Sequence, residues 1–150
     1  MKPAIICDLD GTLYDSRTRQ KTHLLSGKKD FDAFHKAAKD DEPHLWCAQL
    51  LKAMRFFEYS IIFTSGRDDT YRDETIQWLK RHLNLGSGDY ILYMRKAGDY
   101  TPDDVMKKDW YQNLIKTEYN VLFCIDDRKR VVDMWREVGL TCLHCDEGNF

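Results

Sequence analysis

Five short apolar runs, separated by stretches with helical spacing, constrain this chain more than any other feature. The runs are 3–7 (PAIIC), 60–64 (SIIFT), 90–94 (YILYM), 121–125 (VLFCI) and 141–144 (TCLH). Runs this short and this continuously apolar suit strands covered on both faces, as in a parallel sheet. Between them, residues 45–57 set Leu45, Leu50, Leu51 and Met54 roughly on one helical face, and residues 70–83 do the same with Ile76, Leu79 and Leu83. Residues 103–118 carry Val105, Trp110, Leu114 and Ile115 among charges, with Asp103 and Asp104 at the end where the helix dipole favours acids. Residues 129–138 carry Val131, Val132, Met134, Trp135 and Val138, and Gly139 is a natural helix stop. This alternation predicts an α/β fold, a doubly wound parallel five-stranded sheet with helices on both faces. The 150 residues suffice for one domain, 1–150, with a hydrophobic core.

One segment breaks the pattern. Residues 14–44 are polar and rich in charge, with only a short helical pattern near Phe31, Phe34 and Ala38. They fall after the first strand and before its return helix. A small cap-like insert is therefore expected over the carboxyl ends of the strands, where such sheets bind ligands. Its aromatics Tyr14, Phe31 and Phe34 can stack on a base, although core packing is the commoner fate of such side chains.

Charge and cysteine usage narrow the function classes. The formal net charge of −2 argues against a protein that grips long duplex DNA by its phosphates. It leaves room for a small phosphorylated ligand or a strand end held by a few local cations. No run approaches the ~18 apolar residues of a membrane span, and the first residues lack the pattern of a secretory signal, so no membrane role is expected. The five cysteines are an odd number, and Cys7 and Cys124 lie inside apolar runs. A reducing, cytoplasmic setting fits them better than a disulfide framework. Cys142 and Cys145 form a C-x-x-C without a second ligand pair, so no zinc site is expected.

The chemistry concentrates where the strands end. Asp8-Leu9-Asp10-Gly11-Thr12 directly follows the first run. Two carboxylates two residues apart on extended chain point the same way, so both can face one pocket. Gly11 lets the chain turn and brings backbone N–H groups near a bound anion. Thr64-Ser65-Gly66-Arg67 ends the second run, offering a hydroxyl, backbone donors and a guanidinium to a phosphoryl group. Asp126 and Asp127 end the fourth. Acids gathered beside Asp8 and Asp10 repel unless a cation sits among them, and hard oxygen ligands suit magnesium. Lys107 gains meaning from this company, which calls for a cation near the phosphoryl group.

These pieces, in this order, resemble the haloacid dehalogenase-like (HAD) phosphatase superfamily, over essentially the whole chain. The motifs stand as DLDGT (8–12), TSG (64–66), Lys107 and IDD (125–127). TSGRDDTYRDETIQWL, LYMRKAGDYTPDDVMKKDWY and CIDDRKRVVDMWREVGLTCLHCDEGNF look like the 3′-phosphatase domain of bacteriophage polynucleotide kinase/phosphatase. The resemblance implies a Rossmann-like HAD fold and a phosphomonoester hydrolase working through an aspartyl-phosphate. It implies Asp8 as nucleophile and Asp10 as general acid/base. Asp8, the Asp10 backbone carbonyl and Asp126 become Mg2+ ligands supported by Asp127. Ser65 and Lys107 hold the transferred group. Gly11, Thr12, Gly66, Arg67 and Arg95 contact the phosphate or the substrate beyond it.

The implied substrate is a 3′-phosphorylated nucleic-acid end or nucleotide, in a nucleic-acid repair setting. A 5′(3′)-nucleotidase for free nucleoside monophosphates is the alternative, because the insert, with KKDFDAFHKAAKDDEP, looks like small nucleotidases. A non-catalytic module holding nucleic-acid ends is the alternative of another class. No G-x-x-x-x-G-K-[ST] occurs, so no kinase activity is expected from these residues, and a separate kinase or ligase partner is the corresponding expectation. The insert is too small to seal a pocket alone, which leaves room for large substrates or for a second subunit in a homo-oligomer.

Overall fold

Each apolar run becomes a strand. The computed structural model describes residues 1–25, 27–148 and 150, so Ser26 of the insert and Asn149 lie outside it. The strands are β1 (Lys2–Cys7), β2 (Ser60–Asp68), β3 (Tyr90–Arg95), β4 (Tyr119–Asp126) and β5 (Cys142–His144). They form one five-stranded sheet in the order β3-β2-β1-β4-β5, every pair parallel. β1 lies at the centre, and Ala4 to Cys7 are fully buried. Alternate residues of β1 serve opposite cores, as the period of a strand requires. Ile5 and Cys7 join Phe63, Leu51 and Trp78 on one face, while Ala4 and Ile6 join Ile62, Val131 and Trp135 on the other.

The helices over the first core are α3 (Leu45–Phe56) and α4 (Arg72–Leu83); those over the second are α5 (Asp103–Trp110) and α6 (Lys129–Glu137). One expectation about a helix face is corrected. Leu45 is 72% exposed rather than inward, because α3 anchors through Cys47, Ala48 and Leu51, and Leu45 lies outside that stripe. The 103–118 segment is an α-helix followed by a π-helical turn, Tyr111–Ile115. Its buried side chains are Met106, Lys107, Tyr111 and Ile115, while Val105 and Leu114 face solvent. The wider turn shifts the stripe that a constant 3.6-residue period assigns.

The segment between β1 and α3 holds two short helices, α1 (Arg17–His23) and α2 (Phe31–Lys36), then a tight turn at Ala37–Asp40. Only the second is foreshadowed by sequence. The Tyr14 ring stacks on Trp78 of α4 with centroids 3.6 Å apart, and the Trp78 indole N–H donates to the Asp41 carbonyl at 2.9 Å. Tyr14 and Phe34 are thus spent on packing, both fully buried, while Phe31 stays 43% exposed. No helix among the described residues is long and apolar enough to cross a membrane.

Candidate active site

The fold brings the strand-end motifs to one cavity of about 550 Å³, bordered by Asp8, Asp10, Lys107, Asp126 and Asp127. Asp8 follows the last residue of β1, and its N–H donates to the Ile125 carbonyl of β4 at 3.0 Å. This one bond sets the two acidic motifs side by side. Lys107 reaches in from α5, and its ammonium donates to Asp8 Oδ1 at 3.0 Å and Asp126 Oδ2 at 2.9 Å. Thr12 donates its hydroxyl to the other Asp8 oxygen at 3.2 Å. Gly11 takes φ +84°, and a Cβ there would lie 2.1 Å from Asp127 Oδ2, so no larger residue fits that turn.

Ligand oxygens of Asp8, Asp126 and Asp127 all lie within 4.8 Å of one another, and all three residues are buried. One ammonium cannot balance three carboxylates in such a place. Burial, and then the neighbouring Asp8, push the Asp126 carboxyl up to about 6 despite Lys107. Burial and both neighbouring acids push Asp127 up to about 10. Burial alone would lower the Lys107 ammonium, yet Asp126 and Asp8 hold it well above its ordinary value, so it is charged. A trio of hard oxygen donors, among which Asp126 and Asp127 resist ionising as they stand, fits a divalent cation.

The Asp10 side chain is not part of that trio. Its Oδ1 accepts from Arg67 of β2 and from Arg19 of α1, each at 2.5 Å. Burial would raise this carboxyl, but Arg67 and Arg19 together hold it well below the carboxylate range. Arg67 also donates to Thr75 Oγ1 at 2.9 Å and lies 4.4 Å from the centre of the Tyr14 ring. It is 2% exposed, so its guanidinium faces Asp10 rather than open cavity. Arg19 is the site residue that sequence reading missed. It spans to Asp41 Oδ2 at 2.7 Å and to the Phe34 carbonyl at 3.3 Å. A lone arginine in a polar stretch gives no signal by composition.

The remaining sequence-chosen residues sort by what they touch. Ser65 is fully buried, and its Oγ accepts the Arg67 N–H at 3.0 Å. Gly66 borders the cavity, and a Cβ there would lie 2.7 Å from Asp103 Oδ1. Arg95 also borders it, donating to the Gly66 carbonyl at 2.9 Å and pairing with Asp103. Asp103 in turn accepts from Arg128 at 2.9 Å. In the C-x-x-C, the Cys145 thiol lies 3.6 Å from the Thr12 hydroxyl, and both cysteines are free.

The model of the family described as the polynucleotide kinase PNKP phosphatase domain matches residues 2–150. An assigned bifunctional polynucleotide kinase/RNA ligase of Autographa californica nuclear polyhedrosis virus is 30% identical over 138 residues, which are 91% of this chain and 18% of that protein. A chain in the structure of the Pnkp1/Rnl/Hen1 RNA repair complex is 34% identical with a TM-score of 0.82, matched over 100% of this chain and 44% of its own length. The class C acid phosphatase from Bacillus anthracis is 16% identical with a TM-score of 0.75, over 99% of this chain and 68% of its own, and shows the shared fold alone. The chain spans less than half the length of the first two relatives.

Proposed function

This chain belongs to the family of polynucleotide kinase PNKP phosphatase domains, and from that premise we propose that it removes 3′-phosphates from polynucleotide or nucleotide ends through an aspartyl-phosphate on Asp8. The observation that carries the reading is the buried meeting of Asp8, Asp126, Asp127 and Lys107 at one cavity, with Asp10 two residues from the nucleophile.

The chemistry follows from the positions. An Asp8 oxygen attacks phosphorus in line, and the bond from phosphorus to the leaving 3′ oxygen breaks. Asp10, protonated from solvent as the phosphate dianion raises its proton affinity, gives that proton to the leaving oxygen. Asp10 then takes a proton from water, whose oxygen attacks phosphorus and breaks the bond to Asp8, releasing phosphate. Arg19 and Arg67 favour the ionised form of Asp10 that the second step needs. The incoming phosphate dianion opposes them by raising the proton affinity of a nearby carboxylate. Lys107 offsets the repulsion between the Asp8 carboxylate and the dianion. A magnesium ion held by Asp8 and Asp126, supported by Asp127, supplies further charge neutralisation when bound.

The substrate reading leans on the relatives, whose names give a polynucleotide kinase/RNA ligase and an RNA repair complex. The name of the viral relative carries kinase and ligase activities, so a kinase or ligase partner is part of the proposal. The test compares phosphate release from a 3′-phosphorylated oligonucleotide, a 3′-mononucleotide and a 5′-mononucleotide in magnesium. Release from the two 3′ substrates is expected. Activity confined to the 5′-mononucleotide would replace this reading with that of a nucleotidase.

A further inference from the structure

The cavity holds far more space than a phosphate needs, and its outer wall is aromatic where a nucleic-acid site is usually cationic. The cations that border it are already engaged. Arg95 and Arg128 share Asp103, Arg128 also donates to the Phe150 carbonyl at 2.8 Å, and Arg130 pairs with Asp104 at 3.1 Å. Tyr100, in contrast, borders the cavity while 93% exposed. Leaving so large a ring in water has no packing rationale.

The loop that presents Tyr100 is built with care on both sides of it. Arg95 donates to the carbonyls of Asp99 at 3.0 Å and Thr101 at 2.6 Å, the two residues flanking Tyr100. The Asp99 carboxylate accepts from both the N–H and the hydroxyl of Thr101, at 2.9 and 2.6 Å. The Ala97 N–H is held by Asp69 at 3.1 Å. A ring on a loop fixed at both shoulders keeps its position without losing its exposed face. Phe31 offers a second exposed aromatic face from another segment bordering the same cavity.

We propose that the Tyr100 ring is a stacking platform for the base of the terminal nucleotide whose phosphate enters the catalytic cavity. The proposal rests on the functional reading above and deepens it. A π-face accepts every base, so recognition by stacking on Tyr100 is tolerant of sequence. With few free cations at the rim, the footprint is the terminal nucleotide rather than a length of backbone.

The test is a cycle of two changes. Wild type, Tyr100→Ala and Tyr100→Trp are assayed on a 3′-phosphorylated oligonucleotide with an ordinary terminal base and on one whose terminal residue is abasic. Tyr100→Ala should raise KM about tenfold on the base-bearing end, with kcat little changed, and Tyr100→Trp should restore it. The losses should not add, so removing ring and base together costs what either costs alone. Equal KM for Tyr100→Ala and wild type on the base-bearing end overturns the proposal. So does a Tyr100→Ala penalty of the same size on both ends. Should the wild type act only on a 5′-mononucleotide, the 3′ reading fails by itself. The same variant, compared on that mononucleotide and on its base-free sugar phosphate, then decides the stacking.

Discussion

Arg19 of the insert donates to Asp10 of the turn after β1 at 2.5 Å, so the segment that borders the site also holds its proposed acid/base. The other donors of the same guanidinium meet Asp41 and the Phe34 carbonyl, and its centre lies 4.2 Å from the Phe34 ring. Arg19→Ala would leave Asp41 buried without its cation. We expect a loss of about 3–5 kcal/mol in urea unfolding and at least a tenfold fall in kcat. Arg19→Lys restores charge without the planar fork, and should recover stability better than turnover. An unchanged kcat in both variants would separate the insert from the chemistry.

Asp8 and Asp10 call for different outcomes from the same change. Asp8→Asn removes the nucleophile while keeping its shape, so phosphate release should vanish with the fold intact by circular dichroism. Asp10→Asn keeps the nucleophile but removes the proton carrier. Its loss should be largest for alkoxide leaving groups and small for a good leaving group such as p-nitrophenolate. Turnover surviving in Asp8→Asn, or an equal loss on both leaving groups in Asp10→Asn, would reassign the roles.

The sheet was legible because each strand is a closed apolar run, and a run buried on both faces leaves little choice of role. Motifs placed right after such runs inherit their position, which is why Asp8 and Asp126 meet, while Lys107 reaches them from α5. Helix faces were less legible. The π turn at Tyr111–Ile115 interrupts the helical period, and no composition marks such a turn. Arg67 reads by sequence as a phosphate contact, whereas the structure gives its charge to Asp10. The pair joins β2 to the turn after β1, 57 positions apart in sequence, and no local pattern links residues so far apart. Tyr100 was silent for a similar reason, since its role follows from the loop that Arg95 braces.

Trp78 is the bolt between insert and sheet. Its ring carries Tyr14 on one face, and its N–H satisfies the Asp41 carbonyl. Trp78→Phe removes the hydrogen bond and part of the stack, and should cost about 1–3 kcal/mol. Trp78→Ala adds a cavity and should cost about 3–5 kcal/mol. Limited proteolysis should then cut first within 14–44, ahead of global unfolding. Cleavage spread evenly over the chain would show that the insert does not depend on this contact.

Asp126 and Asp127 make stability depend on pH in a direction opposite to that of Asp10. Asp126 and Asp127 have folded values raised to about 6 and about 10, against about 3.9 unfolded. The native state therefore binds more protons between these values, and their contribution, full below about pH 4, is lost as pH rises through about 6 and then about 10. Asp41, raised by burial to about 6, acts in the same direction. Asp10, held low by Arg67 and Arg19 against its burial, contributes above the ordinary carboxylate value and loses that contribution only in stronger acid. In chelator, the urea midpoint should thus fall from pH 5 to pH 9. Magnesium binds the ionised trio, so its affinity should grow over the same window, and saturating magnesium should flatten the fall. Asp126→Asn should remove the part of the slope near pH 6. A midpoint in chelator that climbs across this range, or a slope indifferent to magnesium, would mean that the three acids do not share a cation.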